Sequence, residues 1–140
     1  MIDYFKEAEK LLIELPTLKK SISNLQDRKC MLARYAVEPP LQGGKKQRAA
    51  LNDSESMWLE YKQTLKQIEY THGLINHIEQ ILNQLDSEER LILKFWYIEH
   101  RPKEQILETM HIESLTTLYN IKNKAVRRFA MLFYGGRLFE

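Results

Sequence analysis

LTTLYNIKNKAVRR, residues 115–128, is a segment written with two faces. It holds four basic residues, Lys122, Lys124, Arg127 and Arg128, and no acidic one. Its apolar residues recur at helical spacing. At about 100° per residue, Leu118, Ile121, Ala125, Phe129 and Leu132 share an arc of about 80°, which is expected to face the core. Opposite that arc fall Thr116, Tyr119, Asn120, Asn123 and Arg127. Thr117, Lys124 and Arg128 lie on one flank and Lys122 on the other. The pattern predicts a helix from about residue 115 to at least 132, stopped by Gly135-Gly136.

Upstream, His111-Ile112-Glu113-Ser114 reads as a turn. Before it, residues 103–110 form a short helix expected to bury Ile106, Leu107 and Met110. His100-Arg101-Pro102 ends another helix, whose apolar face is Leu91, Ile92, Phe95, Trp96 and Ile98. That helix starts at Leu85-Asp86-Ser87-Glu88-Glu89, where either Ser87 caps or Asp86 does with Glu89 at the third helical position. A short helix, a tight turn and a longer basic helix fit a helix-turn-helix. Outward Asn and Arg can bond adenine and guanine edges, Thr and Tyr can reach phosphate or a thymine methyl, and Lys and Arg can meet phosphates. The arrangement therefore points to double-stranded DNA as partner, with Thr116, Thr117, Tyr119, Asn120, Lys122, Asn123, Lys124, Arg127 and Arg128 as candidate DNA-binding residues.

The first half is built differently. Tyr4, Ala8, Leu11, Leu15, Leu18, Ile22, Leu25, Leu32 and Ala36 recur in steps of three and four, with Lys29 at the missing step. This heptad seam predicts a helix from about Tyr4 to about Tyr35, kinked or restarted at Pro16. Residues 37–53 break the pattern with Pro39-Pro40 and Gly43-Gly44, and carry Lys45, Lys46 and Arg48. They read as a solvated basic loop, with phosphate contact as the alternative. A second long helix, capped by Asp53 or Ser54, has a seam at Tyr61, Leu65, Ile68, His72, Ile75 and Leu82. A neighbouring stripe runs through Leu74, Ile78, Ile81 and Leu85. Gly73 sits mid-helix, where it would admit a close neighbour. With only 5 Gly and 4 Pro in 140 residues, the chain is expected to be all-α. The expected domains are residues 1–85, an antiparallel coiled-coil-like hairpin, and residues 86–140, a three-helix DNA-binding unit. The hairpin is expected to form a homodimer or to contact RNA polymerase.

The stretch Thr117-Leu118-Tyr119-Asn120-Ile121-Lys122-Asn123-Lys124-Ala125, followed by Phe129-Ala130, resembles phage late-transcription regulators of the RinA/ArpU type. Upstream, Leu85-Asp86, Arg90, Ile92-Leu93 and Tyr97 are similar to the preceding helix of that family. More broadly, residues 85–130 resemble region four of bacterial sigma factors, about a third of the chain. The resemblance implies a phage or prophage transcriptional activator of late genes, acting in the cytoplasm of a bacterial host. Carried over by position, it implies DNA reading by Thr117, Tyr119, Asn120, Lys122, Asn123 and Lys124.

Other chemistries find little to stand on. The net charge of +2 does not by itself favour nucleic acid; its distribution does. His72 and His77 are five apart and share no helix face, so no metal site is expected, and His72 reads as a polar register residue in the seam. There is no phosphate loop and no nucleophile elbow, so neither enzyme activity nor a cofactor is expected. Cys30 is the lone cysteine, read as a buried structural thiol in a reducing cytoplasm. No run approaches the roughly 20 apolar residues of a membrane span, and charges at Asp3, Lys6 and Glu7 interrupt any signal-peptide core. The apolar tail 129–134, with Leu138 and Phe139, is expected to pack back on the long helices or to make a subunit contact. The rival function is a helical protein-interaction module that binds RNA polymerase or another phage protein without reading DNA. A DNA-packaging accessory protein is a third option.

Overall fold

In the computed structural model, residues 2–37 and 53–136 are described. The protein is all-α: α1 Tyr4–Tyr35, α2 Asp53–Gln84, α3 Ser87–Leu93, α4 Lys103–Met110 and α5 Leu115–Tyr134. A π-helical turn, Lys94–Ile98, extends α3. No strand occurs among the described residues.

The helix limits follow local chemistry. α1 continues as one helix through Pro16. The residue preceding Asp53, where a cap for α2 would sit, is outside the described residues, as is nearly all of the 37–53 loop. At α3 the cap is Asp86, and the Glu89 carboxylate reaches back to accept the Asp86 N–H at 3.2 Å. The Ser114 hydroxyl caps α5 by accepting the Thr117 N–H at 3.2 Å. At the far end Gly135, with φ 62°, closes α5 by donating its N–H to the Met131 carbonyl.

Contacts divide the chain into two units, Met1–Thr17 with Ile75–Glu140 and Leu18–Leu74. These do not follow the division at residue 85 that the sequence suggests. Each long helix contributes to both units. The reason is the buried stripe: Ala8, Leu12 and Leu15 of α1 and Ile75, Ile78, Ile81 and Leu82 of α2 belong to the same core as Ile92, Ile106, Leu118 and Phe129. α5 packs against both α3 and α4.

Within Leu18–Leu74 the two helical segments run antiparallel. The Val37 N–H donates to the Ser54 carbonyl at 3.3 Å, and Arg28 pairs with Glu60 at 3.1 Å. Here Leu32 and Thr64 are the buried residues among those described. Three expectations fail in this unit. Cys30 is exposed, because it lies about 200° round the helix from the buried Leu32. His72 is exposed and sets no register; it lies about 80° from the buried Thr64. A Cβ added to Gly73 would meet nothing within 4 Å, so this glycine admits no close neighbour.

Candidate nucleic-acid interface

The α4–turn–α5 segment belongs to the larger unit, and its geometry begins at the turn. His111 takes φ 57° and ψ 43°, the left-handed position usually given to glycine, and reverses the chain after α4. The turn is closed by the Ile112 N–H donating to the Leu107 carbonyl at 2.9 Å. Ser114 then starts α5, and its hydroxyl also donates to Thr117 Oγ1 at 2.9 Å. Leu115, Thr116 and Thr117 are all exposed. The helix dipole favours an anion at this end, although the Thr117 and Leu118 N–H groups are already held by Ser114.

The buried side of α5 differs from the expected one. Leu118, Ala125 and Phe129 are buried as the wheel requires, but so are Lys122, Val126 and Ala130. Ile121 is half-buried and Leu132 exposed. The buried arc is turned by roughly 60° toward Lys122. Thr116, Thr117, Asn120, Lys124, Arg127 and Arg128 are exposed, and Asn123 is half-buried. Neither Lys124 nor Arg127 has an ion-pair partner among the described residues.

Three candidate residues are already engaged. Lys122 is 8% exposed and is corrected from groove contact to interior residue. Its Nζ lies 4.0 Å from Glu9 Oε2 and within 6.0 Å of the Phe5, Trp96, Tyr97 and Tyr119 ring centres. The Tyr97 hydroxyl donates to the same Glu9 oxygen at 2.6 Å. Burial, followed by that bond and the negative charge, pushes the Tyr97 phenol far above its usual range. Arg128 is drawn back to the start of α3, 3.8 Å from Asp86 and 3.7 Å from the buried Glu89. Tyr119 is 38% exposed and meets Trp96 edge-on at 5.1 Å, so its ring is as much packing as surface.

The sequence did not single out Lys103 or Glu9, and marked Tyr97 only through the family resemblance, not as a buried residue. Lys103 opens α4, and its Nζ lies 5.3 Å from the Trp96 ring and 5.6 Å from that of Tyr119. It adds a cation beside the Tyr119 edge of α5. Tyr97 lies in the π-helical turn, where the Glu99 N–H reaches the Lys94 carbonyl at 2.8 Å; Phe95 and Tyr97, on nearly opposite sides of that turn, are both buried. Trp96 and Ile98, expected inside, are half-buried.

The tail of α5 packs back, as favoured from the sequence. Phe133 stacks on His77 at 4.5 Å, and Tyr134 meets Tyr4 at 4.8 Å. Leu138 and Phe139 lie outside the described residues. No group of His, Cys, Asp and Glu suited to a metal occurs among the described residues, and no described helix is long and apolar enough to cross a membrane. The chain matches no family model, no curated protein and no solved structure.

Proposed function

We propose that this protein is a sequence-specific DNA-binding transcriptional regulator, of the kind a phage or prophage uses to turn on late genes. One observation carries the reading. α5 contains no acidic residue, and its exposed side presents Thr116, Thr117, Asn120, Lys124 and Arg127. A short helix and a four-residue turn precede it. A helix of that width and chemistry fits a major groove, with Asn120 and Arg127 offering bidentate hydrogen bonds to base edges. Lys124 and Lys103 flank that surface as phosphate contacts. Asn123 and Tyr119 lie at its margin. The likeness of residues 117–125 to late-transcription regulators supports the transcriptional role.

The test is binding of the full chain to random and selected duplexes at rising salt. Lys124→Ala should weaken binding to every sequence and reduce the slope of log K against log salt by about 0.9. Asn120→Ala should relax preference at one base pair by about 1–3 kcal/mol. Absence of binding at the lowest salt refutes the reading and leaves the protein-interaction module in its place. Mapping of bound sites beside transcript levels then separates a transcriptional role from packaging.

A further inference from the structure

We infer that the Leu18–Leu74 unit is a dimerisation module, completed by the same unit of a second copy. α1 and α2 carry their apolar stripes through both units, but the stripes are covered unequally. Ala8, Leu12, Leu15 and Ile78 are between 0% and 1% exposed in the larger unit. Leu18, Ile22 and Leu25 of α1, and Tyr61, Leu65 and Ile68 of α2, are only half-buried. Leu18–Leu74 supplies two helical segments, which make one layer, whereas a packed core needs two.

The half-buried residues share one side. Measured from the buried Leu32, Leu25, Leu18 and Ile22 lie about 20–80° round α1; measured from the buried Thr64, Ile68, Tyr61 and Leu65 lie about 40–100° round α2 in the same sense. Because the segments run antiparallel, equal senses put both stripes on the same side of the pair. The opposite side is mainly polar, a groove lined by Arg28, Glu60, Gln63, Thr64 and Gln67, with Leu25 reaching it from the seam between the helices. One face of the hairpin thus carries a continuous apolar stripe on both helices, and the other is mainly polar, with Met31 and Tyr35 exposed on its α1 side.

Charge selects the occupant. The α1 segment 18–35 carries five basic residues and one acid, and the α2 segment 53–74 carries four acids and two bases. A second copy related by a two-fold axis parallel to the helices lays each α1 beside the other's α2, so unlike charges flank the apolar seam on both sides. A duplex or a uniformly acidic protein would suit α1 and repel α2. This inference does not depend on the DNA reading, since the interface holds no residue of α5.

The experiment is sedimentation of the full chain over a dilution series, with helicity followed by circular dichroism. The unaltered chain should sediment at twice its 16.7 kDa mass and dissociate on dilution. Leu65→Glu, introduced in both copies, should raise the dissociation constant at least about a hundredfold with helicity retained. Leu65 also helps hold the hairpin, so Lys29→Glu supplies an independent reading. Lys29 lies about 60° from Leu32 on the apolar side, and its reversal should weaken the dimer about tenfold without touching the hairpin's own buried contacts. A monomer at every concentration overturns the inference, as does a dimer indifferent to both substitutions, or an assembly larger than two.

Discussion

Glu9→Ala tests the interior that holds α5 in place. The Glu9 carboxylate, with its side chain 28% exposed, is shared by the Lys122 ammonium at 4.0 Å and the Tyr97 hydroxyl at 2.6 Å. Removing it strands both partners. A lost hydrogen bond to a charged acceptor costs about 1.5–3 kcal/mol. An ammonium left unpaired in a dry site can cost about 3–5 kcal/mol, which partial exposure of Glu9 and the long ion-pair distance reduce. The four surrounding rings compensate further, since their faces attract a cation. The expected cost is therefore about 2–3 kcal/mol, or a fall in Tm of roughly 6–10 °C for a chain of this size. Lys122→Met behaves oppositely. It fills the same aromatic surroundings with an uncharged chain and leaves Glu9 bonded to Tyr97, so it should cost less than about 1 kcal/mol. Thermal and urea unfolding by circular dichroism measure both. The decisive second readout is DNA affinity: Lys122→Met should leave it unchanged, because the ammonium never reaches phosphate. A loss of affinity and salt slope matching that of Lys124→Ala, or a Glu9→Ala chain as stable as the unaltered one, would refute the placement of Lys122 in the interior.

Gly73→Ala should stabilise the protein by about 0.5–1 kcal/mol in urea titration, because the added methyl meets nothing within 4 Å and the helix gains propensity. His111→Gly should stabilise by about 1 kcal/mol in the same assay, by relieving a left-handed residue at φ 57°. The phenols of Tyr97 and Tyr134 are raised above their ordinary value of 10.0, mainly by burial. Their contribution is therefore complete below that pH and lost above it, as the unfolded chain releases protons the folded chain keeps. Stability should fall above pH 10 by up to about 1.4 kcal/mol per pH unit from Tyr97, with Tyr134 adding in the same direction, and Tyr97→Phe should flatten the slope.

Helix type and helix limits were legible along the chain because they depend on neighbours three or four residues apart. The seams of α1 and α2, the stop at Gly135 and the reach-back of Glu89 to Asp86 are all of that local kind. So were the core positions Leu118, Ala125 and Phe129. What escaped depends on residues far apart. Lys122 looks like one more outward cation until α1 brings Glu9 and Phe5 across it from more than 100 positions away. Arg128 looks free until Glu89 is placed beside it. Tyr97 falls outside the apolar face counted at α-helical spacing, yet it is buried in the π-helical turn against Glu9.

Periodicity in a linear chain records which sides of a helix are apolar and where backbone donors run out, since both are settled within one or two turns. It does not record how far each helix is rotated about its axis, and that rotation decides whether a given lysine meets water or a ring of aromatics. On α5 it is Phe5 and Glu9 of α1, with Trp96 and Tyr97 of the turn after α3, that surround Lys122 and leave Lys124 and Arg127 as exposed cations.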